Sequence, residues 1–364
     1  MAIHPHADRL ARAQRAMQVA GVEVLLLGPG ANLRWLSGYH ALPLERLTML
    51  IVPADGAAAL VAPELERARA TASPAVDIAE LVTWSETDDP FTLVAGRAAE
   101  PSTVAVDDRL WASFTLRLQD RLGAREWVVA STVLAPLRVR KDAAELAALA
   151  AAGAAIDEVH ARVPSLLRPG RSESEVGADI ATAIRQTHDE VEFVLVASGP
   201  NGASPHHELS DRRLEAGDAV VVDIGGILDG YCSDETRNYQ LGASDREYAH
   251  IHQVLEAAQQ AGVDAVRPGV AAQAIDRAAR GVLEDAGFGE LFIHRTGHGI
   301  GLEVHEEPWI VDGNTQVLEP GMTFSVEPGV YVPGRHGARI EDIVAVTDDG
   351  VERLNHRPHG LTVV

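Results

Sequence analysis

The triplet Arg-Pro-Gly occurs at Arg168 and again at Arg267, 99 residues apart. Each copy opens a helical pattern, LLRPGRSESEVGADIATAIRQ first and AVRPGVAAQAIDRAARGVLED second. In the first, Ser172 and Glu175 form a capping-box pattern at the helix start. Each helix leads into a strand region bearing two carboxylates: Asp223 and Asp234, then Glu327 and Glu341. The offsets, 104 and 107 residues, lie close to the 99 between triplets. Two alanine-rich helices can align by chance, and their similarity alone does not establish a repeat. The matching carboxylates make a duplication credible. A duplicated α/β unit would set two carboxylate pairs around one pseudo-twofold axis.

The segment AVVVDIGGILDGYCSDETRNY predicts a β-hairpin turning at Asp229-Gly230. In that register residue 228 faces 231, 225 faces 234 and 223 faces 236. Asp223 and Asp234 then share one face as diagonal neighbours. Two carboxylates that close repel unless a cation separates them. Glu327 interrupts the apolar strand TFSVEPGVYV, and Glu341 with Asp342 interrupts ARIEDIVAV. A carboxylate inside such a strand is costly without a partner. His298 stands among Gly297, Gly299 and Gly301, residues that permit close backbone approach or unusual φ. Four carboxylates and one imidazole form an oxygen-rich donor set suited to a dinuclear Mn²⁺, Co²⁺ or Zn²⁺ site rather than a thiolate zinc site.

These motifs, VDIG, SDETR, GHGIGLEVHEEP, VEPGVYV and RIED, resemble metallopeptidase family M24, the pita-bread fold, in its Xaa-Pro dipeptidase (prolidase) and aminopeptidase P branch. The resemblance implies that Asp223 and Glu341 bridge two divalent ions. Asp234 would bind one ion, and His298 with Glu327 the other. Glu327 would also be the general base toward a metal-bridging water. His305 would hydrogen-bond the scissile carbonyl, and His206 matches a catalytic histidine near the scissile amide. The adjacent His207 is expected to be solvated. His294, Tyr331 and Arg339 match the wall of a proline pocket. His294 could instead be a satisfied loop histidine, Tyr331 plain core, and Arg339 the partner of a ligand carboxylate. Relatives in the prolidase branch carry an arginine after HEEP, where this chain has Trp309. Dipeptide selectivity then requires another cation. Arg46 in YHALPLER is one candidate, because the family's N-terminal domain reaches a neighbouring subunit's cleft; a solvated surface arginine is the alternative.

The implied reaction is hydrolysis of Xaa-Pro bonds, most readily in dipeptides, with aminopeptidase P activity on longer peptides as the alternative. Methionine aminopeptidase fits less well, since it lacks so large an N-terminal domain, and creatinase lacks the metal set. A non-catalytic pita-bread binding module is the reading from a different class. Such modules lose ligands, and here all five are present.

Residues 1–135 read as a separate α/β domain resembling the creatinase/prolidase N-terminal domain, with ANLRWLSGY as its signature. Its elements include the amphipathic helix ADRLARAQRAMQVA ended by Gly21, and the strands VLLL, LTMLIVP and AALVAP. Pro136 is expected to stop the preceding structure, and residues 136–364 to form the catalytic domain, opened by an alanine-rich helix from Lys141. The fold class is therefore α/β (α+β), with a creatinase-like domain before a duplicated pita-bread domain.

The chain has 364 residues, with 53 acidic against 31 basic side chains, a net charge of −22. That disfavours a nucleic-acid or anionic-membrane surface. The single cysteine, Cys232, excludes an intrachain disulfide. No apolar run reaches the ~18 residues of a membrane span, and the N-terminus does not read as a signal peptide. A cytoplasmic homodimer acting on Xaa-Pro peptides is expected.

Overall fold

The computed structural model describes residues 5–243 and 245–364. The chain divides into two compact units, Met1–Arg138 and Val139–Val364.

The first unit contains α1 (Pro5–Ala20), β1 (Val24–Leu27), α2 (Ala31–Ser37), β2 (Met49–Pro53), β3 (Ala58–Pro63), α3 (Arg67–Thr71) and β4 (Ala79–Trp84). It continues through α4 (Pro90–Ala98), β5 (Thr103–Val106), α5 (Ala112–Leu122), β6 (Glu126–Val129) and α6 (Ser131–Arg138). Six strands form one mixed sheet in the order β4-β3-β2-β1-β5-β6. The apolar runs read from the sequence are its buried centre: all four residues of β1 and all six of β3 are buried. In ANLRWLSGY, Gly38 closes α2 with φ 68°, a left-handed cap suited to glycine. Pro136 does not end the preceding structure as expected. It lies inside α6, which runs on to Arg138. One proline near a helix end removes a single N–H donor, and two further residues fit before the unit boundary.

The second unit opens with α7 (Ala143–Leu166), started by a full capping box between Asp142 and Glu145. Then follow α8 (Glu173–Ile184), β7 (Glu190–Ser198), β8 (Ala219–Leu228), β9 (Tyr231–Cys232), β10 (Glu235–Gln240), α9 (Arg246–Ala265) and α10 (Ala272–Asp285). The remaining strands are β11 (Gly297–Gly299), β12 (Glu306–Ile310), β13 (Thr323–Val326), β14 (Gly329–Val332), β15 (His336–Arg339), β16 (Asp342–Val346), β17 (Val351–Arg353) and β18 (Thr362–Val363).

The repeat suspected from Arg-Pro-Gly is present in backbone detail. In the first copy Gly170 has φ 90° and donates to Leu214 O at 2.8 Å; Leu214 N–H returns a bond to Arg171 O at 2.8 Å. In the second, Gly269 has φ 88° and donates to Leu318 O at 2.9 Å, and Leu318 N–H returns one to Val270 O at 2.8 Å. Each glycine thus adopts a left-handed turn that a side chain would strain. The first sheet runs β18-β10-β8-β7 and the second β12-β11-β13-β16-β17. In both, three antiparallel strands repeat the same neighbour relation: β7-β8-β10 matches β11-β13-β16. Helices cover each sheet with equivalent cores. Ile156, Val159 and Ile180 pack on Val220 and Val222 in one half. Val263 and Ile275 pack on Phe324 and Val344 in the other.

Candidate active site

The hairpin register expected from Asp229-Gly230 is the one observed. Asp229 has φ 50° and Gly230 φ 88°, Leu228 pairs with Tyr231, and Asp223 pairs with Thr236. Asp223 sits within β8, whereas Asp234 lies in the break between β9 and β10. The two glutamates do not interrupt continuous strands as expected. TFSVEPGVYV splits at Glu327-Pro328 into β13 and β14, and ARIEDIVAV splits at Ile340-Glu341 between β15 and β16. The strands on either side of each break belong to different sheets. Pro328, without an N–H, cannot carry the β13 ladder onward. Each glutamate therefore lies where the chain changes sheets and its side chain can leave the ladder's alternation.

These turns bring the five expected ligands together. Ligand atoms of Asp234, His298 and Glu341 all lie within 4.8 Å of one another. His298 Nε2 is 3.2 Å from Glu327 Oε1, 3.7 Å from Asp234 Oδ2 and 4.0 Å from Glu341 Oε1. His298 Nδ1 donates to Gly299 O at 3.1 Å, which turns the Nε2 edge of the ring toward the carboxylates. Asp223 is held through one oxygen by Arg339. Its Oδ1, Asp234 Oδ1 and Glu341 Oε1 are buried and have no hydrogen-bond partner among the described residues. Four carboxylates thus face one arginine and one imidazole, and three of their oxygens are orphaned. Burial at that charge excess is unfavourable unless cations fill it. The donor set fits divalent metal ions.

The electrostatics agree. Burial, reinforced by Glu341, Asp223 and Glu327, pushes the Asp234 carboxyl well above its ordinary range. Burial with Glu327 and Asp223 does the same to Glu341. Glu327 is also raised by burial, but the hydrogen bond and charge of His298, with His294 and Arg339 behind them, outweigh it and hold Glu327 at about 2.

The glycines around His298 serve close approach rather than unusual φ. A Cβ on Gly297 would lie 1.9 Å from Ser325 O, and one on Gly299 2.1 Å from Glu307 O. Neither residue has positive φ.

A cavity of about 840 Å³ opens onto this cluster, lined by Asp223, Asp234, His298, Glu327 and Glu341 and also by His206, His294, His305 and Arg339. His305 stands edge-on to His298 with ring centroids 4.2 Å apart. Burial, then the charges of His298 and Arg295, lower it to about 4, so its ring is neutral at pH 7. His206 is exposed. His207 is not simply solvated: its Nε2 lies 2.8 Å from Glu173 Oε2. Glu173 is fully buried and also accepts from Ser198, Asn201 and Ser210, which pins the loop carrying both histidines.

Tyr331 is buried and lies behind His294 rather than among the lining residues. His294 Nδ1 donates to Arg295 O at 2.7 Å, so its Nε2 accepts from the Tyr331 hydroxyl at 2.9 Å. That hydroxyl in turn accepts from Arg339 at 2.8 Å. Arg339 does pair with an expected ligand carboxylate, Asp223, while keeping a face on the cavity. Arg46 belongs to the first unit, where it forms ion pairs with Glu45 at 2.5 Å and Glu86 at 2.8 Å.

Sequence reasoning missed Glu173, hidden in the acidic helix start SESE, and Arg295, which lines the cavity between two residues already singled out. It also missed the apolar wall of Phe193, Leu195, Leu209 and Val304.

Comparison with known proteins accords with this geometry. Metallopeptidase family M24 matches residues 147–348, and the Creatinase/Prolidase N-terminal domain matches residues 9–140. The chain is 52% identical over 363 residues to a probable dipeptidase PepE of Mycobacterium tuberculosis, covering 99% of this chain and 96% of that one. The crystal structure of dipeptidase PepE from Mycobacterium ulcerans is similar at TM-score 0.93 and 53% identity, covering 99% of this chain and 98% of that one. A recombinant prolidase from Thermococcus sibiricus is similar at TM-score 0.94 and 35% identity over the full length of both chains.

Proposed function

This chain belongs to metallopeptidase family M24 and is a peptidase of its dipeptidase and prolidase branch; from that premise we propose that it hydrolyses Xaa-Pro dipeptides at a dinuclear metal site. The observation that carries the reading is the set of three orphaned buried carboxylate oxygens on residues that line one cavity with His298, His206 and His305. Asp223, Asp234, His298, Glu327 and Glu341 would hold the ions. Divalent cations bound there supply Lewis acidity toward a carbonyl and make a water more acidic.

The chain's own groups do the rest. Glu327, kept ionised, accepts the proton of the attacking water. His305, neutral and without a side-chain hydrogen bond among the described residues, is free to donate to the scissile carbonyl oxygen as charge develops there. His206, at the exposed edge of the cavity, faces the leaving amide nitrogen. Arg339 orients Asp223, and the Arg339–Tyr331–His294 chain fixes the His294 ring as part of the wall against a proline ring. An X-Pro amide has no N–H, so a site working through carbonyl polarisation loses nothing on such a bond. Retention of all five ligands with His206 and His305 speaks against a binding module without activity.

The test is a length and sequence series, Ala-Pro, Ala-Pro-Ala, longer Xaa-Pro peptides and Ala-Ala, with Mn²⁺, Co²⁺ or Zn²⁺ supplied to apo-protein. Cleavage of Ala-Pro well above the longer peptides and Ala-Ala is expected. Equal or better cleavage of the longer peptides favours an aminopeptidase, and preference for Ala-Ala defeats the Xaa-Pro reading.

A further inference from the structure

The cavity is lined by two arginines, and their surroundings differ. Arg339 is buried and engaged by Asp223, Thr236, Tyr331 and Pro205 O. Arg295 lines the same space but forms no ion pair among the described residues. Its guanidinium lies over the Trp309 ring, 4.3 Å from the centroid. That contact spans two neighbouring segments, since Thr296 donates to Ile310 O at 2.9 Å and His298 pairs with Trp309. Stacking uses the face of a guanidinium, whereas its N–H donors point outward in the plane of the ring. Trp309 therefore orients Arg295 without consuming its hydrogen-bonding edge. The cation also stands close to the reacting groups. Arg295 O accepts from His294 Nδ1, and Arg295 lines the cavity together with His298 and His305.

An anionic substrate group entering this cavity meets Glu192, Glu208 and the ligand carboxylates. It needs a cation whose donors are still free. We propose that Arg295, oriented by Trp309, binds a carboxylate of the peptide substrate and so sets which peptides are accepted. Two sources offer that chemistry: the C-terminal carboxylate of a dipeptide, and an acidic side chain on its first residue. The proposal deepens the peptidase reading above and rests on the same cavity.

The experiment compares Ala-Pro with Ala-Pro amide, and Asp-Pro with Ala-Pro, using metal-loaded wild type, Arg295→Met, Arg295→Lys and Arg46→Ala. In wild type the free acid is expected to be preferred. In Arg295→Met the acid-to-amide ratio of kcat/KM falls at least about 10-fold, mainly through KM, because a charge-assisted hydrogen bond is lost. Arg295→Lys restores part of the ratio, which a merely structural role would not do. Trp309→Leu, which keeps the cation but not its support, raises KM for the acid with little change for the amide. If the acid-to-amide ratio holds but the Asp-Pro preference disappears in Arg295→Met, the bound carboxylate is the first residue's side chain. If neither ratio moves, or only Arg46→Ala moves them, the proposal is overturned. Should Arg295→Met not fold, Arg295→Gln serves in its place. The same ratio taken on Ala-Ala and Ala-Ala amide separates the two ideas: preference for Ala-Ala sinks the Xaa-Pro reading, while the acid-to-amide ratio still judges Arg295.

Discussion

Leu195 stands opposite Asp223 in the first half of the C-terminal unit. In the second half the Glu327 N–H donates to Thr296 O, in step with the Gly299–Phe324 pairing, so Thr296 holds the corresponding place. Two residues further along each strand, the first half has Ala197 and the second has His298. The halves therefore share a scaffold and a pair of carboxylates each, but at this strand position only the second carries an imidazole. The counter-charge comes from the same half: Arg339 of the second half engages Asp223 of the first. Duplication explains why four carboxylates converge. Divergence between the copies explains why the cluster is lopsided, with Glu327 held ionised beside His298 while Asp234 and Glu341 are pushed toward protonation.

The hardest test of the shared role is to remove one proposed ligand from each half. Asp234→Asn and Glu341→Gln are each expected to lower kcat/KM by at least about 10²–10³-fold, with loss of bound metal measured by plasma mass spectrometry. Without metal, both variants should melt no lower than wild type, since each removes a buried, crowded carboxylate. Wild-type activity in either would break the equivalence of the halves.

The second test isolates a residue of one half only. His305→Ala is expected to lower kcat about 10²-fold with metal content unchanged. A parallel loss of metal would recast His305 as a ligand.

Stability against pH probes the buried histidines behind the sheets. His160, with both ring nitrogens engaged by Tyr239 and Glu235 O, is driven to about 3, chiefly by burial. His252, whose Nε2 has no partner among the described residues, is driven to about 4, also chiefly by burial. Both bind protons more readily when unfolded, so their contribution is complete above about pH 6.5 and is lost as pH falls. Chemical denaturation at pH 7.5 and 5.5 should differ by about 1.4 kcal/mol per histidine. His160→Gln should shrink that difference, and an unchanged pH dependence would argue against the assignment.

The smallest effect concerns the helix starts. Ser172 caps α8, whereas its counterpart Ala271 gives α10 no side-chain cap. Ser172→Ala should cost about 1 kcal/mol, and Ala271→Ser should gain up to that amount. Both should leave kcat unaltered; a change would tie the helix ends to the site.

The hairpin register was legible because Asp229-Gly230 sets it locally and every pairing then follows by counting. The ligand set was legible because carboxylates and a glycine-flanked histidine are conspicuous in apolar runs. The strand breaks at Glu327 and Glu341 were harder to read. Alternation describes one sheet, and these residues lie where the chain leaves one sheet for another. His207 looked solvated because its partner, Glu173, lies 34 residues away and is buried only after α8 packs.

By itself, the sequence determined the family, the duplicated plan and the identity of the five candidate ligands, because those depend on residue type and on local spacing. Tertiary structure decided how each charge is answered. Arg339 is engaged by Asp223, Arg46 by two glutamates, and Arg295, above Trp309, forms no ion pair among the described residues. Which charges meet depends on how strands distant in sequence stack, and no single segment encodes that.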